Sequence, residues 1–258
     1  MTCCQTCEID ATGVYYKEMN AQIRKAVEEG AEHIVLRNVT GQRYIGTNLY
    51  QATSPERLAK LQIDVYGTPG NDLGAFLDGP VINIYGNIMD ASGNTMNSGR
   101  IIAHGRGGDI TGFSARGGEM FIRDNAGYRV GIHMKEYQEK RPVMVIGGTT
   151  QDFLGEYMAG GVIIVMGLTL AVDEAHYANH VGTGMHGGKI FIRGIIEDHQ
   201  LGAGVGITEV TEDDTGLIRK YIEEYARLFE KDMSGITVQS FKKLTPLSSR
   251  PYKQLYAY

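Results

Sequence analysis

Glycine recurs through the middle of this sequence at a nearly constant interval. The sequence contains a series of short runs of β-branched and other apolar residues, and we call the residue that ends each run the closing position. It is filled by Gly67, Gly86, Gly105, Asp124, Gly147, Gly167 and Gly194, and the differences between successive numbers are 19, 19, 19, 23, 20 and 27. A fixed period of about 20 residues is the signature of a repeat architecture, in which each unit is stable only when stacked on its neighbours.

A second glycine column has the same period. It consists of Gly74, Gly93, Gly112, Gly131, Gly155 and Gly182, and the successive differences are 19, 19, 19, 24 and 27. The two longer steps predict insertions, at about residues 136–141 and 168–181. Glycine suits such positions because a coil of about 20 residues must turn sharp corners, and corners often need a positive φ.

The side chains between the glycines also fall into columns. Three residues after the second glycine come Leu77, Met96, Ala115, Met134, Met158 and Met185. Four before the closing position come Ile82, Ile101, Met120, Val143, Ile163 and Ile190, and two before it come Ile84, Ala103, Ile122, Val145, Val165 and Ile192. Residues two apart in a strand share a face, so we expect these columns to point into one core.

These columns predict an all-β-dominated fold, a right-handed parallel β-helix of about seven coils with N- and C-terminal capping helices. Seven coils would rise roughly 34 Å at about 4.8 Å each. The competing fold is an antiparallel β-sandwich, which would rarely produce three identical steps in succession.

The column between the two strand columns should face outward, yet it is largely apolar. It contains Asn83, Ile102, Phe121, Met144, Ile164 and Phe191. An apolar outer sheet face needs a cover. Two covers are open: a terminal helix of the same chain, or another subunit that docks on this face. In the second case, changing Phe121 and Phe191 to Ser would weaken assembly and leave the chain folded.

The ends of the chain differ from the repeats. We expect a flexible segment over residues 1–16, a β-helix domain with an N-terminal helix over residues 17–206, and a C-terminal helix and tail over residues 207–258. The helices are predicted at residues 17–30 and 212–229. Elements of this kind cover the exposed strand edges of a repeat stack.

Charge and composition disfavour several classes of function. The net charge of −5 argues against nucleic acid, which binds a basic face. No apolar run is long enough to span a bilayer, and the N-terminus lacks the basic-then-apolar pattern of a secretory signal. All three cysteines lie at or before Cys7, so no disulfide framework is predicted. We expect a cytoplasmic protein.

Cys3, Cys4 and Cys7 are candidate ligands for zinc or an iron–sulfur cluster. Such sites usually have four ligands, so this set would need one more from a partner. The simpler interpretation is a mobile terminal segment.

His176, His180 and His186 form a second candidate site, beside Asp173 and Glu174. Histidines at i and i+4 of a helix can share a metal ion, but the same segment can equally be a solvated loop. It is part of the longest predicted insertion, and loops on one edge of a repeat stack often form its binding side.

Gly182, Gly184 and Gly187 match the dinucleotide-binding fingerprint, which should follow a strand and open a helix. Here the motif leads into a predicted strand at residues 189–193, so the corner interpretation is favoured. His104, Arg123 and Arg193 share a column before the closing position and predict an exposed polar row.

The repeat resembles a known family. The pattern of a glycine, a spacer, a Gly-Gly pair, alternating isoleucine and a closing glycine at residues 155–167 and 182–194 is similar to the GXGXG domain, the C-terminal β-helix of the glutamate synthase large subunit. The likeness spans roughly residues 17–205, and Ser-Ser-Arg-Pro-Tyr at residues 248–252 is similar to glutamate-synthase-like chains. The domain also occurs as a separate chain in some microbial glutamate synthases and in N-methylglutamate synthase.

This resemblance implies a non-catalytic structural and docking subunit of a glutamate-synthase-type complex, which moves glutamine nitrogen to 2-oxoglutarate. It places FMN and the iron–sulfur clusters in partners, an amidotransferase and a flavin-binding synthase subunit, and assigns no catalytic, cofactor-binding or metal-binding residue to this chain. Self-association stays open.

Two alternative functions also stay open. One is a β-helical subunit of a formylmethanofuran-dehydrogenase-like complex. The other is an independent β-helical enzyme or binding protein, which predicts a column of stacked carboxylates that the sequence lacks.

Overall fold

The structure, a computed structural model, describes residues 6–171 and 173–247. Its strands are β1 (Thr6–Asp10), β2 (His33–Thr40), β3 (Gln62–Thr68), β4 (Val81–Tyr85), β5 (Arg100–Ala103), β6 (Glu119–Ile122), β7 (Val143–Ile146), β8 (Ala159–Val165), β9 (Gly187–Arg193), β10 (Val205–Thr208) and β11 (Phe241–Pro246). The α-helices of the described chain are α1 (Tyr16–Glu28), α2 (Pro55–Leu58) and α3 (Glu212–Phe229), and 3₁₀ turns lie at Leu49–Gln51, Asp198–Gln200 and Val238–Ser240.

All of these strands belong to one 11-stranded sheet, which is mostly parallel. Strands β1 to β9 pair in sequence order and in parallel, so each strand lies beside the strand of the next repeat. Strand β11 then pairs antiparallel with both β9 and β10. This order excludes the antiparallel sandwich, because successive parallel strands need a full crossover between them.

The predicted inward columns lie in the core, except at β7. Met144, which was predicted to face outward, lies opposite Met120 and belongs to the main apolar core. Val143 and Val145, which were predicted to face inward, belong to a separate cluster on the outer face. The prediction for these three residues is therefore wrong, since a shift of one residue moves every side chain of a strand to the opposite face.

The cause of the shift is the closing glycine of this repeat. Gly148 donates its backbone N–H to Asp124 O (3.0 Å), and Gly167 donates to Gly148 O (3.0 Å), so Gly148 rather than Gly147 occupies the closing position. The step from Asp124 to Gly148 then equals the step from Gly131 to Gly155 in the second glycine column. The second glycine column therefore indicated that Gly148 is the closing residue of this repeat.

Helix α3 covers the outward apolar face. The outer cluster combines Ile102, Phe121, Val143, Val145, Val162, Ile164, Met166 and Phe191 with Ile218, Tyr221, Ile222, Tyr225, Phe229, Met233, Val238 and Phe241. Phe121 and Phe191 have no exposed surface. The cover belongs to the same chain, so the hypothesis that another subunit docks on these two phenylalanines is wrong.

Polar contacts fix α3 at this place on the sheet. Tyr225 Oη donates to Arg123 O (2.6 Å), and Tyr221 Oη donates to Glu119 Oε1 (2.9 Å). Arg100 bridges Glu119 and Glu224, with both N–O distances at 2.5 Å. The hydroxyl groups of the buried tyrosines are thus satisfied, as burial requires.

The N-terminal segment is also part of the sheet. Strand β1 pairs in parallel with β2, and Cys7 lies opposite Ile34 and packs against the core. Residues Thr6–Asp10 therefore form a strand where a flexible segment was expected. Helix α1 buries Met19, Ile23 and Val27 in the core.

No helix of the described residues is long and apolar enough to cross a membrane.

Candidate functional site

Each repeat turns its corner with three left-handed residues that alternate with residues of negative φ. In one repeat these are Ile110, Gly112 and Ser114, with φ of +48°, +74° and +54°. We call the five-residue unit a corner segment. In the described chain, the corner segments with this pattern are residues 44–48, 72–76, 91–95, 110–114, 129–133, 153–157 and 180–184.

The central residue of every corner segment is glycine because its Cα faces the core. A Cβ on Gly131 would lie 2.5 Å from Ile163 Cδ1, and a Cβ on Gly155 would lie 2.6 Å from Ile190 Cδ1. A side chain there would have to displace these isoleucine ends and adopt a positive φ, so glycine is favoured on both grounds. The second glycine column of the sequence is this central position.

The alternation lets each corner segment bond to both neighbouring repeats. Gly112 N donates backward to Ser92 O (2.8 Å), whereas Ile110 N and Ser114 N donate forward to Tyr128 O (2.8 Å) and Ile132 O (2.9 Å). These bonds satisfy backbone groups that a buried corner would otherwise leave unpaired. The corners therefore stack as regularly as the strands.

The first and fifth residues of the corner segments carry outward side chains on left-handed backbone. The fifth positions form a row of Asn48, Phe76, Thr95, Ser114, His133, Tyr157 and Gly184. Two residues further along lies a parallel row of Asp78, Asn97, Arg116, Lys135, Ala159 and His186. Non-glycine residues at positive φ cost free energy and are concentrated at functional sites, so the row of fifth positions is a candidate site.

A cleft of about 520 Å³ lies between the two rows in the C-terminal half of the stack. We call it the basic groove. It is lined by Ser114, Arg116, His133, Lys135, Tyr157, Ala159, Gly184 and His186. Its charged side chains are cations, so the groove has the electrostatics of an anion site.

The cations of the basic groove lack protein partners. No ion pair or side-chain hydrogen bond of the described residues includes Arg116 or Lys135, and Arg116 Nε is buried without a hydrogen-bond partner. Asp78, in the same row as Arg116, is 3.5 Å from Lys140 and outside the groove. The groove therefore presents unused donors.

Aromatic rings form one wall of the basic groove. The rings of Tyr157 and His133 stack with centroids 5.3 Å apart and planes at 12°, and Phe113 meets His133 edge-on at 5.9 Å. Gly184 makes room for this wall, because a Cβ there would lie 2.5 Å from the Tyr157 ring. Tyr157 remains about half exposed.

A second cleft, of about 580 Å³, lies between α1 and the first corner segments. It is lined by Tyr16, Lys17, Asn20, Ala21, Arg24, Tyr44, Thr47, Asn48, Asp72, Ala75, Phe76 and Asn94. Arg24 Nε and Thr47 Oγ1 are buried there without partners. Asp72 adds a carboxylate, paired with Arg43 at 3.2 Å, so this cleft is of mixed charge.

The three histidines of the predicted second site are separated in the structure. His176 is buried with Nε2 2.8 Å from Arg193 O, and burial lowers its pKa. His180 stacks on Phe153 at 4.9 Å, and His186 lines the basic groove. Among the described residues, no group of three or more His, Cys, Asp or Glu side chains is arranged to hold a metal ion.

The other candidates have structural explanations or lie outside the described residues. Cys3 and Cys4, and the Ser-Ser-Arg-Pro-Tyr segment at residues 248–252, are not described. The predicted polar row is partly aromatic: His104 stacks on Tyr85 at 4.9 Å and meets Phe229 edge-on, and burial lowers the pKa of His104. The glycine fingerprint leads into strand β9, as the corner interpretation predicted.

Of the side chains that line the basic groove, only His186 was a candidate from the sequence, and Arg116, Lys135, His133 and Tyr157 were not. A signal was present, because Arg116 and Lys135 are separated by one full repeat and occupy the same place in adjacent units. The left-handed backbone of Tyr157 has no such signal, since tyrosine is not among the residue types enriched at positive φ, whereas histidine, as at position 133, is enriched there.

Together, the parallel strands and the glycine-centred corners define a class of repeat protein in which both elements stack in register. The profile of the family described as the GXGXG motif matches residues 16–248. The chain belongs to the GXGXG family. Its corner segment at residues 180–184 carries glycine at the third and fifth positions of that segment.

Similar proteins fall into two groups. An uncharacterized protein of Methanocaldococcus jannaschii is 44% identical over 255 residues, which cover 96% of this chain and 95% of that protein. The ferredoxin-dependent glutamate synthase of Pyropia yezoensis is 30% identical over 187 residues, 65% of this chain. Ferredoxin-dependent glutamate synthase 2 of Synechocystis is 28% identical over 173 residues, 60% of this chain. The matched segments span 11% and 10% of these two synthases.

Proposed function

We propose that this chain is a non-catalytic structural and docking subunit of a glutamate-synthase-type complex. The observation that carries the proposal is the similarity of its repeats to a segment of two ferredoxin-dependent glutamate synthases, together with the family match over residues 16–248. Because those segments are about a tenth of the synthases, the chemistry of the complex would reside in other chains.

The architecture that we propose for this role is a right-handed parallel β-helix of about seven coils. The parallel order of β1 to β9 and the repeated corner segments support it, since a parallel strand and a stacked corner recur in each unit. A stack bonded between all neighbours is rigid along its axis, which suits a spacer that holds other subunits at fixed positions.

The partners in this proposal are an amidotransferase chain and a flavin-binding synthase chain. The amidotransferase would release ammonia from glutamine, and the synthase chain, with FMN and iron–sulfur clusters, would add it to 2-oxoglutarate in the cytoplasm. The partners would dock on surfaces other than the apolar outer face, because α3 already occupies that face.

Reconstitution tests the proposal. The amidotransferase and synthase chains of the source organism are purified separately, and glutamine-dependent glutamate formation is measured with and without this chain. We expect the chain to raise the rate by about tenfold or more, since a scaffold raises the effective concentration of its partners. Ammonia-dependent activity of the synthase chain alone serves as the control and should not change. Equal glutamine-dependent rates with and without the chain would exclude the role.

A further inference from the structure

The lining of the basic groove contains two cations and no carboxylate. Several other cations of the described chain are held in ion pairs: Arg100 lies between two glutamates, and Lys189 and Lys243 both bind Asp214. Arg116 and Lys135 belong to no such pair. Two cations without a neutralising carboxylate attract an anion, and a bound anion would offset their charge.

The two cations are held one repeat apart by the backbone. Arg116 N donates to Met96 O (2.8 Å), and Lys135 N donates to Ala115 O (3.0 Å), so both residues lie in the stacked register. Neighbouring units in such a stack are about 4.8 Å apart. Two like charges carried by adjacent units repel each other, and a ligand with two negative groups would relieve the repulsion.

The donors of Arg116 are suited to an oxyanion. A guanidinium presents its N–H groups in a planar fork that matches carboxylate and phosphate oxygens, and charge-assisted bonds of this kind are short and strong. The buried Nε of Arg116 is one of these donors and has no partner in the described chain. A bound oxyanion would supply the missing acceptor.

The size and walls of the groove fit a small molecule. Its volume of about 520 Å³ lies within the range of about 300–1,000 Å³ that is common for small-ligand sites. Tyr157 and His133 supply an apolar wall beside the cations. The α1 cleft is a poorer anion site, because the carboxylate of Asp72 lines it.

We propose that the basic groove binds a small dianion whose carboxylate or phosphate groups are held by Arg116 and Lys135. The groove is built from residues of this chain alone, so the proposal does not depend on the role of the chain in a glutamate-synthase-type complex. Carboxylate and phosphate share the chemistry that these donors recognise, and the choice of probes separates them.

Isothermal titration calorimetry of the full chain with inorganic pyrophosphate and with glutarate tests the proposal. We expect at least one probe to bind, with an affinity that falls as the salt concentration rises. Arg116→Gln and Lys135→Gln should each raise the Kd by about tenfold, because each removes one charge-assisted contact. Pyrophosphate binding alone would assign a phosphate ligand, and glutarate binding alone a carboxylate.

Lys220→Gln is the matched control, since Lys220 is an exposed lysine of α3 that lies over the Tyr221 ring, outside the groove. It should leave the Kd unchanged, and thermal melting should show all three variants folded. The proposal is overturned if neither probe binds at concentrations up to about 10 mM, since ordinary small ligands bind more tightly than that. It is also overturned if Lys220→Gln weakens binding as much as the two groove variants do.

Discussion

Glycine has two separable roles at the residue scale. At Gly131, φ is +70° and a Cβ would meet Ile163, so both backbone and packing exclude a side chain. At Gly204, φ is +80° but nothing lies within 4 Å of a Cβ, so only the backbone disfavours one. The central position of a corner segment is constrained by the core as well as by its backbone conformation.

Gly131→Ala and Gly204→Ala measure this difference. The free energy of unfolding should fall by about 1–2 kcal/mol in both variants, because alanine is strained in the left-handed conformation. It should fall by about 1–3 kcal/mol more in Gly131→Ala, because the added methyl overpacks the core. Urea unfolding of the two variants gives the two free energies. Equal losses would show that the core does not restrict the central position.

Individual residues also mark the limit of sequence prediction. The central glycines were predictable because glycine at a fixed interval has a backbone reason. Ile110 and Thr95 were not, since β-branched residues rarely adopt a positive φ, and here the hydrogen bonds to neighbouring repeats impose it. The stacked wall of Tyr157 and His133 was not predicted, although the spacing of Arg116 and Lys135 by one repeat was available.

At the scale of elements, a buried carboxylate, Asp214, is one of the polar groups that attach α3 to the sheet. Asp214 has no exposed side-chain surface and binds Lys189 (2.6 Å) and Lys243 (2.7 Å). It also completes a capping box with Thr211, whose N–H donates to Asp214 Oδ2 (3.0 Å). Burial alone would raise the pKa of the Asp214 carboxyl, but the hydrogen bonds from the two lysines and Thr211 outweigh it and hold the pKa below its ordinary value.

Asp214→Asn breaks a buried ion pair and should therefore destabilise the protein at pH 7. We expect a cost of about 2–3 kcal/mol, at the lower end for such pairs, because the Lys189 side chain is partly exposed. The folded-state pKa is depressed, so this contribution is complete above about pH 5 and declines as the pH falls below about 3.9, the pKa of an unfolded aspartate. The difference from the unmodified protein should be about 1 kcal/mol smaller at pH 3. Denaturant unfolding at both pH values measures it.

Asp213→Asn is the control for this experiment, because Asp213 is exposed in the same helical turn. It should cost only about 0.3–1 kcal/mol, the usual contribution of an acidic side chain near a helix N-terminus. A cost as large as that of Asp214→Asn would contradict the assigned anchoring role.

The elements were predictable to different degrees. Helix α3 has the predicted bounds, and α1 lies within two residues of its predicted ends. The cover of the outer face was left open because an apolar face does not reveal what packs on it. The register of β7 was missed because Gly147 and Gly148 are both glycines, and only the second column distinguished them.

At the scale of the whole molecule, stacking order follows directly from the period. Each repeat returns the chain to a strand beside the preceding one, and the insertions lengthen the connections without changing the parallel order from β1 to β9. The antiparallel β10 and β11 at the C-terminal edge depart from the repeat, and β11 pairs with β9. The function that we propose at this scale depends on partners, which no pattern within one chain can identify.

The most direct test of the proposed subunit role is mild affinity purification of the chain from its source organism, with mass spectrometry of the proteins bound to it and an absorbance spectrum of the complex. We expect amidotransferase and synthase chains to co-purify, with flavin and iron–sulfur absorbance. Co-purification of molybdenum- or tungsten-enzyme subunits would instead assign a formylmethanofuran-dehydrogenase-like complex. A colourless chain without partners would contradict the subunit role altogether.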